Sequence, residues 1–382
     1  MIVRRSIALL VETSNAYSRG LLEGILDFAQ RQGSWSVFLP EQERGATPPN
    51  WLANWKGDGM IARIETDAIA KVIRRFKGPV VDLSAARYMP GVPWADTDDR
   101  AIVELAVGHF LERGFKDFAY CGDPGFEWSN LRCRNFIELA KQHHRQVHVH
   151  ESIHRYDPAF TIDNEKKRLS KWLRSLPRPV AILACYDFKA KMLLDVCREL
   201  GVSVPEDIAI LGIDNDRLLC EFANPPLSSI IHDTQRTGFQ AAMLLERMMN
   251  GESVGNERLV TSPLGICTRQ STDILAIDDR EVVSAMRYIR EHAIHNIRIA
   301  DVLRHTSLSR RVFEVRFRKA VGRTPHEEIQ RIRINRVKQL LDQNELSIAE
   351  VASLAGYEHA EYMAAAFRRE TGESPSEYRT IR

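Results

Sequence analysis

The sequence predicts an α/β protein followed by a smaller region that is entirely helical. From residue 5 to about residue 275, short apolar runs of strand length alternate with amphipathic segments of helical length. After about residue 280 the strand pattern stops, and each later segment has the apolar spacing of a helix. Because strands that alternate with helices form parallel sheets, the first region predicts doubly wound sheets. A chain of 382 residues is long enough for two or three domains.

The elements of the first region can be placed by their apolar periodicity. Strands are predicted at 6–12, 35–40, 58–63, 79–84, 117–123, 180–187 and 208–214, and helices at 18–33, 101–114 and 189–201. Ligands of such sheets bind beyond the carboxyl ends of the strands. No strand is followed by a G-x-G-x-x-G or G-x-x-x-x-G-K-[ST] pattern, so the sequence does not predict a nucleotide site.

Composition narrows the class of protein. With 44% hydrophobic and 27% charged residues, the chain has the composition of an ordinary soluble protein. No apolar run approaches the roughly 20 residues that span a bilayer, and no signal-peptide cleavage site follows the N-terminal apolar run. The six cysteines are scattered and include no C-x-x-C pair, so we expect reduced thiols and a cytoplasmic protein.

Charge divides the chain at about the place where the strand pattern stops. Residues 281–382 hold 18 Lys and Arg against 14 Asp and Glu, a net charge of +4, whereas residues 1–280 have a net charge of −2. A basic helical region is compatible with nucleic-acid binding but does not prove it.

Two helix-turn-helix patterns lie in this basic region, at about 298–320 and 347–370. In the first, Ser309 is a candidate N-cap, and the apolar stripe of the following helix is Val312, Phe313, Phe317 and Ala320. In the second, the turn lies at Gly356, and the apolar stripe is Tyr357, Tyr362, Met363, Ala366 and Phe367. The two units end alike, in F-R-K-A-V-G-R-T-P (317–325) and F-R-R-E-T-G-E-S-P (367–375), which indicates an internal duplication.

These motifs resemble the AraC/XylS-type transcription regulators over roughly residues 281–380. The segment IRINRVKQLLDQNELSIAEVASLAGY (332–357) is similar to the linker helix and the S-I-x-E-[IV]-A-x-x-x-G-[FY] signature of that family. The segment GESPSEYR (372–379) is similar to the end of its domain. The resemblance implies two recognition helices that enter two successive segments of the major groove on one face of DNA.

The resemblance also implies which positions face the bases. On the first helix these are Arg311, Glu314 and Val315, with Arg310 and Arg318 nearby; arginine can grip guanine with two hydrogen bonds, and glutamate can accept one from cytosine. On the second helix the corresponding positions are Ala360, Glu361, Ala364 and Ala365, where many family members have Ser, Gln or Arg. Alanine makes no hydrogen bond to a base. We therefore expect this helix to anchor more than to read, through phosphate contacts of Arg368, Arg369 and Arg379.

The first region resembles the effector domain of LacI-type repressors over about residues 5–273. The resemblance rests on SVPEDIAILGIDNDRLLCEFANPPLSSI (203–230), on TRQSTD (268–273) and on the alternating strands. It implies the periplasmic-binding-protein fold, in which two doubly wound lobes hold a ligand between them. LacI-type proteins carry their DNA-binding helices before the first strand, whereas here we expect them at the other end of the chain.

This order of domains resembles the xylose operon regulators (XylR type). Further support comes from NAYSRGLLEG (15–24), DGMIA (58–62), ADTDDRAIVELAVGHFLERG (95–114) and GIDN (212–215). We predict a sugar-binding sensor at 1–275, with crossovers between its lobes near 112–118 and again near 232–270, a linker within 272–281, and a DNA-binding domain at 276–382. The implied function is transcription control by D-xylose, or by another pentose or hexose.

A sugar site in this fold requires particular chemistry. Vicinal hydroxyls bind carboxylates, Arg or Asn, and the C–H face of the ring packs on an aromatic side chain. The polar candidates at strand ends are Asn15, Asp98, Arg132, Asp187 and Asp214, and the aromatic candidates in loops on the same rim are Trp94, Phe126 and Trp128. Asp98 and Asp214 follow buried strands, where an aspartate can instead cap the next helix.

The predicted partners are double-stranded operator DNA, the sugar effector, a second copy of the chain in a homodimer and, if the protein activates, RNA polymerase. No cofactor, metal or membrane contact is predicted. The closely spaced histidines at 143, 144, 148, 150 and 154 raise the question of a metal site, but no carboxylate or cysteine completes a ligand set, so we expect them to be solvated. The alternative, an α/β enzyme with a DNA-binding tail, is disfavoured because no G-x-S-x-G, H-E-x-x-H or nucleophile–base pair can be assigned.

Overall fold

A computed structural model describes residues 4–42, 47–154, 157–274, 279–295, 297–342 and 346–380. The chain forms two compact units, Met1–Asp273 and Ile274–Arg382. Residues 275–278, in the middle of the predicted linker at 272–281, lie outside the described residues. No helix within these ranges is long and apolar enough to cross a membrane.

The first unit contains two six-stranded sheets. Its strands are β1 (Arg5–Leu10), β2 (Trp35–Phe38), β3 (Gly59–Ala62), β4 (Val80–Asp82), β5 (Trp94–Thr97), β6 (Asp117–Cys121), β7 (Val147–His150), β8 (Val180–Ala184), β9 (Ile208–Ile213), β10 (Ser228–Ile231), β11 (Arg258–Thr261) and β12 (Gly265–Cys267). Its helices are α1 (Ala16–Gln32), α2 (Asp67–Ile73), α3 (Asp99–Glu112), α4 (Glu127–Gln142), α5 (Ile162–Ser175), α6 (Asp187–Glu199), α7 (Arg217–Phe222) and α8 (Thr234–Met249).

The strand order defines two lobes. The first sheet has the order β11-β5-β4-β3-β1-β2 and is parallel throughout. The second has the order β12-β10-β9-β8-β6-β7 and is parallel except for the pairing of β12 with β10. The central strands β3, β8 and β9 are buried along their whole length, as expected for strands covered by helices on both faces. The predicted fold class is confirmed.

The chain passes between the lobes three times. Helix α3 packs on α4, so the first crossing lies between β5 and α3 and not at the predicted 112–118. Helix α8 packs on α1, so the chain returns to the first lobe after β10. The third crossing joins β11 to β12, within the segment 232–270 where the sequence indicated only one.

Helices α1 and α8 meet through glycine. A Cβ atom at Gly24 would collide with the backbone carbonyl oxygen of Gln235, and one at Gly238 would collide with the carbonyl oxygen of Leu21. Backbone therefore touches backbone, and neither helix can move aside without breaking the contact. The segment between β10 and α8 is thus anchored in the first lobe.

The second unit is all-helical. Its helices are α9 (Arg280–His292), α10 (Ile299–Leu303), α11 (Arg310–Val321), α12 (Pro325–Asp342), α13 (Ile348–Leu354), α14 (Ala360–Thr371) and α15 (Pro375–Thr380). The pairs α10/α11 and α13/α14 form the two helix-turn-helix units, with α12 between them. Both α11 and α14 end at a left-handed glycine, Gly322 and Gly372, as the duplicated motifs require.

The apolar stripes of the two units are only partly as predicted. Phe313 and Phe317 of α11 are buried, and so are Met363 and Phe367 of α14. Two predicted core residues lie outside the core instead: Val312 is 46% exposed and Tyr362 is 70% exposed. Each is followed directly by the residue that is buried, and a helix turns through too large an angle for both neighbours to face the core.

The two halves of the second unit contact each other through the turn after α13. Gly356 has a φ of +82°, and a Cβ atom there would lie 2.5 Å from the carbonyl oxygen of Ile294, in the short 3-10 turn after α9. Arg333 of α12 donates from Nε to the carbonyl oxygen of Ala293 at 2.7 Å, and its guanidinium lies over the ring of Tyr357.

The glycine contact between α1 and α8 can be tested by substitution. Gly24→Ala should lower the free energy of unfolding by about 1–3 kcal/mol, because the added methyl group would collide with the backbone of α8. Gly108→Ala is the matched control: it lies within α3, where an added Cβ meets nothing within 4 Å, and it should stabilise by up to about 1 kcal/mol. Urea unfolding measures both, and equal effects of the two substitutions would contradict the contact.

Candidate functional site

A cavity lies in the first unit where the strands of both sheets end. It is small and partly open to solvent. Its walls come from both lobes: Asp96 and Thr97 end β5, and Asp214 follows β9. The lining residues are Tyr17, Arg63, Ala85, Asp96, Thr97, Asp99, Trp128, Arg132, Tyr186 and Asp214. This is the position at which open α/β sheets bind ligands.

Arg132 of α4 is a buried cation in the cavity wall. Its Nε donates to Oδ1 of Asp99 at 2.6 Å, and its Nη1 donates to the carbonyl oxygen of Cys185 at 2.8 Å. Its guanidinium lies 5.2 Å from the ring centre of Trp128. Burial lowers the pKa of Arg132, but Asp99, Asp214 and Tyr120 together raise it more, so the pKa lies above its usual value and the side chain stays charged.

Arg63 provides a second cation from the other lobe, and its charge is already compensated. It forms buried ion pairs with Glu12, at 3.4 Å, and with Glu65. Its guanidinium also lies 5.1 Å from the ring centre of Tyr17. Because two glutamates pair with this one arginine, there is no excess positive charge on this side of the cavity.

Carboxylates face the remaining space. Asp96 receives a hydrogen bond from the hydroxyl of Tyr17 at 3.4 Å and from Arg87 at 3.1 Å. Burial, and then the neighbouring Asp99, raise the pKa of Asp96. Burial and Asp96 also raise the pKa of Tyr17, so the phenol remains a hydrogen-bond donor. Around this space, carboxylates outnumber the cations that are not already paired. They can accept hydrogen bonds from the hydroxyls of a neutral ligand, and they would repel an anionic ligand.

Of the eight ligand residues expected from the sequence, Trp128, Arg132 and Asp214 line this cavity. Trp94 and Asp98 line an adjoining groove, where Arg87 covers the ring of Trp94 at 3.6 Å and Asp98 caps α3. Phe126 stacks on Trp128, with ring centres 5.2 Å apart. The other two lie elsewhere: Asn15 caps α1, and Asp187 is buried beneath the turn that carries Asp214.

Several lining residues were not expected from the sequence. Arg63 directly follows β3 and Asp96 lies within β5, so the rule that ligands meet strand ends could have found both. Asp99 neighbours the predicted Asp98; the first residue of α3 faces the cavity, whereas the N-cap faces the helix backbone. Tyr17 and Tyr186 carry no such signal in the sequence.

Helix α3 connects the cavity with the end of the first unit. Asp99 begins it at the cavity, and near its other end Arg113 donates from Nε to the carbonyl oxygen of Thr272 at 2.8 Å. The ring Nε2 of His109 lies 2.8 Å from Oγ1 of Thr272, whose hydroxyl donates onward to Ser228. His109 is therefore the donor in this contact. A helix of 14 residues is about 21 Å long, so α3 spans that distance as one rigid element.

One of the five clustered histidines, His150, is not solvated, contrary to expectation, and His154 is only partly exposed. His150 is buried, and its Nε2 lies 3.3 Å from Glu165, which also receives a hydrogen bond from Lys189 at 2.8 Å. His154 lies 3.1 Å from Asp123 and packs edge-on against Phe126. Within the described ranges, no group of three or more His, Cys, Asp or Glu side chains could hold a metal ion.

The candidate DNA-contact residues are placed differently on the two recognition helices. On α11, Arg310, Arg311, Val315 and Arg318 are exposed, and Arg310 pairs with the half-buried Glu314 at 2.9 Å. On α14, Glu361, Arg368 and Arg369 are exposed, whereas Ala360 and Ala364 are half-buried. Tyr362 adds the largest exposed side chain of α14, a residue that periodicity assigned to the core. Arg379, on α15, is half-buried.

A two-lobed cavity followed by a duplicated helix-turn-helix unit defines a ligand-responsive transcription regulator. Family models match in the same order: an XylR N-terminal domain at 6–105, a periplasmic binding protein-like domain at 107–272 and a helix-turn-helix domain at 302–381. Xylose operon regulatory proteins of Haemophilus influenzae and Escherichia coli K12 are 32% and 31% identical. These matches cover 98% and 99% of this chain and 97% of each relative. The chain belongs to the xylose operon regulator family.

Solved structures agree with this assignment. The structure described as the xylose-binding transcription activator XylR is 31% identical, with a TM-score of 0.85 over 100% of this chain and 99% of that one. A ribose-bound LacI family regulator from Enterococcus faecium is 22% identical, with a TM-score of 0.58 over 70% of this chain and 98% of that one, and shares the sensor fold. The family resemblance inferred from the sequence is confirmed, and the relatives are regulators and not enzymes.

The buried contact of His109 makes stability depend on pH. Burial, and then Arg113, lower the pKa of His109 to about 3, whereas an unfolded histidine titrates near 6.5. Between these values unfolding takes up a proton, so the contribution of His109 is complete above about pH 6.5. It falls by up to about 1.4 kcal/mol per pH unit as the pH drops toward 3. His109→Gln keeps a donor for Thr272 but does not titrate, so its unfolding free energy should fall less steeply in this range.

The comparison has to be made as the difference between the variant and the unaltered protein, measured by urea unfolding from pH 7 to pH 4.5. Burial raises the pKa of Asp82 to about 7, and this group changes stability in the opposite direction over the same range. The difference removes the contribution of Asp82, because both proteins retain that residue. Identical pH slopes for the two proteins would contradict the prediction.

Proposed function

We propose that this protein is a D-xylose-responsive regulator that controls a xylose-utilisation operon by binding operator DNA in the cytoplasm. Residues 1–275 would be the sensor and 276–382 the DNA-binding domain. The observation that carries the proposal is a small cavity lined by Arg132, Asp99 and Asp214, beside an aromatic face, in a chain that ends in two helix-turn-helix units. The relatives described as xylose operon regulators support the choice of sugar.

The effector site that we propose consists of Arg63, Asp96, Asp99, Arg132 and Asp214 as polar groups and Trp128 as the ring platform. Ion pairs already compensate both arginines, by Asp99 on one side and by Glu12 and Glu65 on the other. A phosphate group would therefore meet carboxylates without a free cation to pair with. We infer that the protein senses the free sugar and not its phosphate ester.

Binding of sugar in this protein should be measurable and selective. Isothermal titration should detect D-xylose, and D-xylose 5-phosphate should bind at least about tenfold more weakly because of the carboxylates. In gel shifts, D-xylose should change the affinity for promoter DNA by about 5–150-fold, the usual range of coupling between sites. Asp214→Ala should abolish this response and leave the DNA affinity of the sugar-free protein unchanged.

Asp195→Ala is the matched control, because Asp195 is an aspartate on the surface part of α6 that pairs only with neighbours on its own helix among the described residues. It should bind xylose and respond to it like the unaltered protein. A DNA affinity that stays the same with every pentose and hexose tested would refute the sensing function, whereas a response to a different sugar would correct only the choice of ligand.

For the output, we propose that a homodimer reads two half-sites and that the protein activates transcription through RNA polymerase. The related structure described as a transcription activator supports the direction. A dimer that engages two half-sites gains affinity through effective concentration. Within the sensor, the contacts of α3 with Thr272 provide a route by which events at Asp99 reach the end of the first unit.

On DNA, we propose that α11 reads bases and that α14 mainly anchors. The reading residues would be Arg311, Glu314 and Val315, with Arg310 and Arg318 beside them. The exposed guanidinium of Arg311 supports its assignment, because its planar fork can grip guanine with two hydrogen bonds. On α14, Ala360 and Ala364 leave room for close approach, Glu361 and Tyr362 are the exposed side chains that could touch bases, and Arg368 and Arg369 would contact phosphates.

Substitutions at two arginines separate the reading of bases from the anchoring to phosphates. Arg311→Ala should cost about 1–3 kcal/mol on the preferred operator and relax the base preference at one position. Arg311→Lys keeps the charge but loses the planar fork, and it should relax the preference in the same way. Arg368→Ala should weaken all sequences alike and reduce the salt slope of log K by about one. Binding to randomised operators at several salt concentrations measures these effects; if Arg311→Ala weakens every sequence equally, α11 does not read at that position.

A further inference from the structure

The turn that carries Asp214 has an unusual backbone. Asp214 has a φ of 110° and Asn215 a φ of 49°, so two successive residues other than glycine adopt positive φ values. Such conformations cost free energy and persist only where the surroundings impose them. The cause must therefore lie in the contacts of residues 214–216 with their neighbours.

Three backbone N–H groups of the turn are held from below. The N–H of Asp214 donates to the carbonyl oxygen of Ile230 at 3.1 Å. The N–H of Asn215 donates to Oγ of Ser229 at 3.0 Å, and the N–H of Asp216 donates to Oδ2 of Asp187 at 2.7 Å. Strand β10 and the first residue of α6 thus together fix the backbone of the turn.

Asp187 is the point where these contacts converge. Its side chain is buried, and the hydroxyl of Ser229 donates to its Oδ1 at 2.6 Å. The same serine oxygen accepts from Asn215, so Asp187 acts on two consecutive residues of the turn, directly on Asp216 and through Ser229 on Asn215. Gly212 of β9 makes room for it, because a Cβ atom there would collide with Oδ1 of Asp187.

The carboxylate of Asp214 has its own neighbour. Nε2 of the buried His232, in the segment that leads from β10 to α8, lies 3.3 Å from Oδ1 of Asp214. The ring of His232 also packs edge-on against Tyr17, with centres 5.1 Å apart. The carboxylate of Asp214 therefore lies beside the imidazole of His232, while the backbone of the turn is fixed by β10 and α6.

We propose that Asp187 is a positioning residue for the effector: it does not touch the ligand, but through Ser229 and Asp216 it imposes the strained turn in which Asp214 presents its carboxylate to the cavity. This inference rests on the proposed binding of a sugar at Asp214. Asp187 would then contribute to the affinity for the sugar although it lies beneath the site. A turn that is already in the binding conformation loses no conformational freedom when the ligand binds.

The test compares Asp187→Ala with Asp187→Asn. Asparagine can still accept from the N–H of Asp216 and can donate to Oγ of Ser229, so it should recover most of the lost affinity; alanine can do neither. Titration of the sugar-free protein with D-xylose should show affinity reduced by roughly tenfold or more for Asp187→Ala and by no more than about threefold for Asp187→Asn. Asp195→Ala, on the same helix, should bind like the unaltered protein.

Urea unfolding of the sugar-free variants separates positioning from a general loss of structure. A purely structural role predicts lower stability with the affinity of the folded protein unchanged, and that result overturns the inference. Equal losses of affinity in the alanine and asparagine variants also overturn it, because the charge of Asp187 and not its hydrogen bonds would then matter. If Asp187→Ala does not fold, Ser229→Ala decides: its affinity should fall at least about threefold, and an unchanged affinity overturns the inference.

A ligand-independent measurement keeps this inference distinct from the proposed function. Amide hydrogen exchange at residues 214–216 should be faster in Asp187→Ala than in the unaltered protein and should return toward normal in Asp187→Asn. If the unaltered protein binds no xylose, the proposed effector is wrong, and exchange alone then decides on Asp187. Exchange that is the same in all three proteins overturns the positioning role.

Discussion

The sensor is organised around one buried cation, the guanidinium of Arg132. A buried charge is tolerated only where partners surround it, and Arg132 takes them from separate elements: Asp99 at the start of α3, the carbonyl oxygen of Cys185 after β8, and the ring of Trp128 on its own helix. These partners form one wall of the cavity. Loss of the cation would leave Asp99 buried and unpaired just where the chain enters the second lobe, so the fold of the wall and its binding chemistry depend on the same interaction.

The sequence was most informative where a pattern repeats. Alternation of strands and helices predicted both lobes, and the two matching helix ends at 317–325 and 367–375 predicted the duplicated helix-turn-helix units. It was least informative about which polar residue at a strand end faces the cavity. Asp98 and Asp99 are neighbours, yet one bonds to the backbone N–H groups that open α3 and the other reaches Arg132. A difference of one residue in register decides between a helix cap and a ligand contact, and composition cannot resolve it.

The missed residues share a physical reason. Tyr17 and Arg63 belong to the first lobe, and they approach Asp214 and Trp128 of the second only because the chain crosses between the lobes. Nothing local in the sequence encodes that approach. Tyr362 was misassigned for a different reason: periodicity identifies an apolar face only to within a residue, and here Met363 fills the core position next to it. The same limit applies to Val312 and Phe313 in α11.

The backbone contact between Gly356 and Ile294 has a consequence for the operator. It joins the turn of the second helix-turn-helix unit to the segment after α9 with no side chain between them, and Arg333 of α12 bonds to the same segment. The two recognition helices are then held at a fixed separation, and the protein cannot lengthen or twist to suit a different DNA site. One base pair inserted between the two contacted segments would rotate one of them by roughly 34° about the helix axis. The DNA, by bending or untwisting, would have to absorb that mismatch, so operators of this regulator should tolerate changes of sequence between the two segments far better than changes of length.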